Sequence, residues 1–313
     1  MKKFFSKLIK FSIPLIVFAI ILHFLLMNLN TSYQVIKSQL YSKKYELIVL
    51  GNSQAHYAVN PKYFSKLKTL NLANVSQHLH YEKEILTQYL KQENHNIKFV
   101  LISVDYHSLN KVSTSEIRES LIYYSTGVKP YYNKSKIYFL SPLFSYSPYS
   151  VLGLIKNIVY DYFKGIEIVD LEKMSKEKNL IKIIDGFVGF SGSDFHDYSK
   201  IDKINLNEKG FDNALIILKQ TIDLLIKNNI EPILFSAPVH KQEYNLRYEY
   251  DILKRNKKII KEIQNDFNIK YWDFMKLELE DNKFYNQNHL NISGAKEFSK
   301  ILDEKINSIN NKP

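Results

Sequence analysis

Along this chain, unbroken apolar runs of strand length alternate with stretches whose apolar residues recur at helical spacing. The runs are Glu46–Leu50 (ELIVL), Thr69–Leu72 (TLNL), Lys98–Val104 (KFVLISV), Glu231–Ser236 (EPILFS) and Ile269–Asp273 (IKYWD). Continuous rather than alternating hydrophobicity suits strands covered on both faces. Between the runs, Tyr81–Gln92 is amphipathic. Ala214, Leu215, Leu218, Ile222, Leu225 and Ile226 mark a second helical face, and Ala295, Phe298, Ile301, Leu302, Ile306 and Ile309 mark a third. Strand–helix alternation predicts an α/β fold, a three-layer α/β/α sandwich around a parallel sheet.

Two segments depart from this rhythm. Residues 108–210 are rich in Tyr, Ser and Lys, and Pro130, Pro142 and Pro148 interrupt any long helix there. Only Ser150–Phe163 reads as helical. The segment is either an insertion over the strand ends, a lid or an acceptor-binding surface, or a plain surface excursion. At the other departure, Phe11–Met27 carries no charge. At about 1.5 Å per residue it spans roughly 25 Å, a little less than a bilayer core. Leu8 and Ile9 extend it, and the Lys10 ammonium can reach the headgroups.

Lys2, Lys3, Lys7 and Lys10 precede the apolar run, and no Lys or Arg follows it until Lys37. That asymmetry keeps the N-terminus in the cytoplasm and sends the rest outward. A cleaved signal peptide is the rival reading. The run is long for its apolar region, however, and Met27-Asn28-Leu29-Asn30 is not a small-residue cleavage site. The expectation is a single-pass cell-membrane protein. Residues 1–30 form a cytoplasmic stub and transmembrane anchor, and residues 31–313 form one extracytoplasmic domain.

Composition narrows the function classes. The chain has 313 residues and no cysteine. Disulfides, thiolate metal sites and cysteine nucleophiles are therefore excluded. The formal charge of +11 raises nucleic-acid binding, but the lysines flank the anchor or lie dispersed among acids rather than in a patch. No nucleic-acid partner is expected. Asp194-Phe-His196-Asp197 fits no recognised metal-ligand spacing, and no glycine-rich phosphate loop follows a strand. Neither a metal nor a cofactor is expected.

The chemistry concentrates at two places. The first apolar run leads into Gly51-Asn52-Ser53, with a helix expected next. Open α/β sheets bind ligands beyond the carboxyl ends of their strands, so a serine there faces the site. Such a serine is also an ordinary helix cap. The second place is Asn286-Gln-Asn-His289-Leu-Asn-Ile-Ser-Gly294, between the fifth run and the last helix. His289 thereby arrives at the same rim as Ser53. A serine hydroxyl needs a base to become a nucleophile, and imidazole is the base suited to neutral pH. His56, one turn after Ser53, lines the pocket in this reading, and the base role falls to His289 because it comes from another element.

These two blocks resemble the SGNH (GDSL-like) hydrolases, which begin with a strand and Gly-Asp-Ser or Gly-Asn-Ser and end with Asp-x-x-His before the last helix. The likeness is greatest to the membrane-anchored branch that includes the teichoic-acid D-alanine transfer protein (DltD-like) and exopolysaccharide O-acetyltransferases. The N-terminal anchor, the His-Leu-Asn-x-x-Gly ending and Ser236-Ala-Pro238-Val-His-Lys-Gln-Glu-Tyr244 carry that part of the resemblance, which covers roughly residues 45–110 and 211–305.

The resemblance implies a flavodoxin-like sheet and an acyl-enzyme on Ser53. It also implies acyl transfer to, or ester removal from, a cell-envelope glycopolymer, with a multispanning membrane acyltransferase as a candidate partner. It implies an oxyanion hole from the Ser53 amide, an amide in Asn71-Leu-Ala-Asn74-Val-Ser76, and an asparagine side chain after the third strand. Ala73 or Ser76 stands where the family has glycine. Asp105-Tyr-His-Ser-Leu-Asn110 holds no Gly-x-Asn, so the side-chain donor is unassigned; Asn52 and Asn74 are pocket candidates.

The chain departs from the family at Asn286, an amide in the place of the triad acid. Three readings follow. Asn286 orients a Ser–His dyad, or an acid from elsewhere (Asp273 or Asp105) substitutes, or the site is a degenerate scaffold that binds polysaccharide or a membrane partner.

Overall fold

The computed structural model describes residues 2–27, 37–41, 44–92, 95–110, 114, 116–145, 152–153, 155–156, 163, 185–194, 208–249 and 251–310. The Ser150–Phe163 helix falls mostly outside the described residues, as do His196 and Asp197 of the acidic cluster. Contacts divide the chain into two compact units. One joins Met1–Lys37 to Ser115–Ser175, and the other joins Ser38–Thr114 to Lys176–Pro313.

The larger unit is the α/β domain. Its strands are β1 (Leu47–Leu50), β2 (Thr69–Asn71), β3 (Phe99–Ser103), β4 (Glu231–Ser236) and β5 (Lys270–Asp273). All neighbours pair in parallel, in the order β2-β1-β3-β4-β5. β1 to β4 are buried along almost their whole length, which is why their sequences read as unbroken apolar runs. β5 lies at the edge and is partly exposed. The intervening helices are α2 (Ser53–Ala58), α3 (Leu79–Leu90), α6 (Glu208–Lys227), α7 (Lys241–Glu249), α8 (Ile252–Phe267) and α9 (Ile292–Asn310).

Side-chain alternation along the strands splits the core in two. Leu47, Val49, Phe99, Leu101, Ile233 and Phe235 pack with Ala55 and Ala58 of α2 and with Phe298, Leu302 and Ile306 of α9. Ile48, Leu50, Val100, Ile102 and Leu234 point the other way and are equally buried. Lys83 of α3 bonds Gln220 of α6, and Lys219 of α6 bonds Asp266 of α8, so these three helices adjoin. The expected three layers are present.

The strand order reverses direction between β1 and β3. The crevice of such a sheet opens at that point, beyond the carboxyl ends of these two strands. The turns after β1 and β3 therefore build the site. A small antiparallel hairpin, β6 (Phe284–Asn286) with β7 (His289–Leu290), lies between β5 and α9. Sequence pattern did not reveal this hairpin or the helices α7 and α8. Hairpin strands of two and three residues are too short to show a period.

The smaller unit contains α1 (Lys2–Met27), α4 (Glu116–Thr126) and α5 (Pro142–Ser145). α1 has the length and composition of a helix that crosses a membrane, a test that a signal sequence also passes. Of residues 108–210, those described at 116–145 fall in the unit of α1, and those at 185–194 fall in the α/β domain.

Candidate active site

The turn after β1 is set by two residues. A Cβ on Gly51 would lie 2.7 Å from the Cβ atoms of both Ala55 and Ser103, so only glycine lets β1 pass this close to β3 and α2. Asn52 then caps α2. Its side-chain oxygen accepts from the Gln54 amide at 2.9 Å, and its amide nitrogen donates to Asp105 at 3.0 Å. Asp105, just past β3, also accepts from the backbone amides of His107 at 2.6 Å and Ser108 at 2.8 Å. One buried carboxylate thereby ties the turns after β1 and β3 together. Ser53 follows as the first residue of α2, where its amide has no intrahelical acceptor.

His289 opens β7 and reaches the same point from the other end of the chain. Its Nε2 lies 2.9 Å from the Ser53 Oγ, within the range for direct proton transfer. The imidazole is buried, and its Nδ1 has no hydrogen-bond partner among the described residues. Burial pushes its pKa down to about 3, helped by the neighbouring imidazoles of His107 and His56. The ring is therefore neutral at pH 7 and can accept a proton. Burial and these neighbours together disfavour the imidazolium, and no carboxylate among the described residues bonds the ring to offset that cost.

Neither candidate acid bonds the ring. Asp273 accepts from the Met275 amide at 3.1 Å and pairs with Lys257 at 2.8 Å. Asp105 faces Asn52 and the backbone of its own turn. The expectation that Asn286 holds the imidazole also needs correction. Its side-chain oxygen accepts the backbone amides of Asn288 at 3.2 Å and His289 at 3.0 Å. It caps the turn that delivers His289, because two orphan amides of a tight turn are the nearer donors.

The second block is tied into the turns around it. The Ala73 amide is spent on the Asn71 side chain at 3.0 Å, and the Asn74 amide on the Gly51 carbonyl at 3.1 Å. The Asn74 side chain accepts from the Val75 amide at 2.8 Å and is not aimed at Ser53 by that bond. Ser76 has φ 54°, the left-handed backbone that glycine adopts most readily. His56 bonds the Ala73 carbonyl through Nδ1 at 2.7 Å, joining α2 to the turn after β2.

Sequence reasoning missed the groups that surround the imidazole. The Tyr57 ring lies edge-to-face with His289, centroids 5.2 Å apart at 83°. Tyr57 is four residues after Ser53, so helical spacing places both on one face, and that signal was readable. Phe190 packs on Tyr57 at 4.5 Å and stacks on Tyr285 at 4.0 Å. It lies on a strap, residues 185–194, bonded at one end to β2 through Asn71 N to Asp185 O at 2.9 Å. Further along, the Phe190 carbonyl accepts from the Ile292 amide, also at 2.9 Å. Among the described residues, no group of three or more His, Asp or Glu side chains could hold a metal.

No protein-family model matches the sequence, and no curated protein matches it. Solved structures do. One is a GDSL-like lipase from Bacteroides thetaiotaomicron, 9% identical, covering 89% of this chain and 98% of its own, with a TM-score of 0.41. Another is an acetyl xylan esterase from the rumen bacterium Butyrivibrio proteoclasticus, 8% identical, covering 85% of this chain and 64% of its own, with a TM-score of 0.34. At these values the functional reading rests on the residues of this chain.

Proposed function

We propose that this chain is a membrane-anchored serine esterase or O-acyltransferase that works through an acyl-enzyme on Ser53. The observation that carries the reading is the 2.9 Å contact between Ser53 Oγ and a neutral, buried His289. In the first half-reaction the Ser53 hydroxyl gives its proton to His289 Nε2 as Oγ bonds the acyl carbonyl carbon. The tetrahedral oxyanion is held by the free Ser53 amide at the start of α2. His289 returns the proton to the leaving oxygen as the old ester bond breaks. An acceptor hydroxyl, or water, then repeats the sequence and frees Ser53.

The resemblance of the two end motifs to the anchored acyl-transfer branch supports a cell-envelope glycopolymer as substrate. It also supports an extracytoplasmic domain and an acyl group delivered by a multispanning membrane partner.

A second reading, a non-catalytic scaffold that retains the fold and binds polysaccharide or a partner, draws on the unpartnered His289 Nδ1. One experiment separates the two. A fluorophosphonate should label the wild-type chain, and labelling should vanish in Ser53→Ala and fall steeply in His289→Gln. An unlabelled wild type, folded by circular dichroism, would leave only the scaffold.

A further inference from the structure

The smaller unit carries an apolar surface that its own packing does not use. Within it, α4 and residues 128–145 form a knot with a core of its own. Ile122, Val128 and Tyr138 are buried, the Tyr124 hydroxyl donates to the Tyr138 carbonyl at 2.9 Å, and Ser120 bonds Ser145 at 2.7 Å. Lys134 pairs with the buried Glu119 at 3.0 Å. The single turn at Lys136–Phe139 and the short α5 are thus fixed in place. Even so, Ile137, Leu140 and Phe144 stand out of this knot at 57%, 68% and 60% exposure. Three large side chains this exposed on a well-anchored segment mark a surface that something covers.

Contact with α1 indicates what covers it. Leu22 and Leu26 are the buried residues of α1, and most of its other apolar side chains, Phe24 and Leu25 included, are exposed. His23 Nδ1 lies 2.8 Å from Ser141 Oγ. A histidine inside an apolar span needs such a partner. His23 is four residues from the end of α1 at Met27, about 6 Å along a helix axis. Ser141 is therefore held near the Met27 end of the apolar run; with α1 as a membrane span, that end lies at the boundary between headgroups and acyl chains. Ile137, Leu140 and Phe144 flank that bond on either side in sequence. Tyr132 and Lys136 are exposed beside them, and tyrosine with lysine is the composition found at that boundary.

We propose that residues 136–145 are a second membrane-contact element, seated in the lipid interface beside the outer end of α1 with Ile137, Leu140 and Phe144 directed into the acyl chains. The occupant is the bilayer, and the inference rests on the reading of α1 as a membrane span. It gives the protein two points of attachment, so the knot meets the membrane in a set orientation rather than swinging on a single helix.

The test uses the full-length chain in vesicles of phosphatidylethanolamine and phosphatidylglycerol. The chain has no cysteine, so single-cysteine variants take a nitroxide at one site only. Labels on Leu140→Cys and Phe144→Cys should collide several-fold more with oxygen, which partitions into lipid, than with a water-soluble nickel chelate. Phe18→Cys, in mid-span, should do so more strongly, and Lys300→Cys, on the exposed surface of the α/β domain, should show the reverse. The substituted side chains are exposed and their loss is mild for folding. If 140 and 144 favour the nickel chelate while 18 favours oxygen, the inference is overturned and the anchor stands. Labels at 140 and 144 shielded from both reagents would mean that a protein surface covers them, which also overturns it. If position 18 favours the chelate too, the anchor reading itself fails and takes the inference with it.

Discussion

At the scale of single residues, the proposed nucleophile Ser53 and the proposed base His289 meet with no carboxylate on the imidazole. What holds the imidazole is aromatic. Tyr57 meets it edge-to-face, and Phe190 and Tyr285 back Tyr57. Rings orient a neutral imidazole and exclude water from it, but they cannot stabilise its charged form as an acid would. Tyr57 is thus a positioning residue. Tyr57→Phe keeps the ring and should label with a fluorophosphonate at close to the wild-type rate. Tyr57→Leu lets His289 tilt and admits water, and a misplacement of that kind costs on the order of 10- to 100-fold in rate. The pH profile should move with it. The wild type should stay reactive well below pH 6.5, because His289 is already neutral there. The leucine variant should lose reactivity nearer the ordinary histidine value as the ring becomes hydrated. Equal rates and equal profiles for the two variants would remove Tyr57 from the mechanism.

At the scale of elements, the strap 185–194 depends on a glycine. Gly186 has φ +87°, and a Cβ there would lie 1.8 Å from the Asn71 carbonyl oxygen at the end of β2. No side chain fits without separating the strap from the sheet. Gly186→Ala should therefore destabilise the α/β domain by about 2–4 kcal/mol, the sum of the positive-φ strain and the clash. It should also slow Ser53 labelling, because Phe190 is displaced with the strap. Thermal denaturation and the labelling rate together check this. Gly127 is the control. Its φ is +77°, and a Cβ added there would meet nothing within 4 Å, so only backbone strain applies and the loss on Gly127→Ala should be smaller.

At the scale of the whole molecule, buried ionisable groups give stability a pH dependence. Glu82 of α3 is buried, and burial is the main reason its pKa rises to about 8; the nearby Gln77 side chain opposes the rise, and the charge of Asp105 adds to it. Its folded value lies above its unfolded one, so the folded state holds the extra proton between about 4.5 and 8. The stabilising contribution is complete below the unfolded value and is lost as pH rises through 8. His289 acts in the opposite sense. Its folded value is depressed, so the unfolded state takes up the proton first and stability falls as pH drops from 6.5 toward 3. The denaturation midpoint should thus decline on both sides of mildly acidic pH. Glu82→Gln should flatten the alkaline decline and leave the acidic one. An unchanged alkaline slope in that variant would assign the effect to other groups.

Much of this protein was determined by local pattern in the sequence. β1 to β4 are legible because a strand covered on both faces must be apolar at every position, and α6 and α9 because a helix on a sheet must be apolar on one side. Ser53 and His289 could be placed at one rim because both follow a strand at its carboxyl end, and topology puts all such ends together. What remained illegible depends on which groups meet once the chain is folded. Asn286 stands where an acid is expected, yet its oxygen goes to the backbone of its own turn, and Asp105 goes to Asn52. Those choices follow from distances between turns that no spacing encodes. Residues 108–210 read as one irregular stretch, while of its described residues 116–145 join α1 and 185–194 strap the candidate site. Weak periodicity carries no information about which surface a segment will find. Tertiary structure alone decided that the His289 ring meets Tyr57, with Phe190 packed behind Tyr57, because orientation in a buried site is fixed by long-range packing rather than by neighbours in sequence.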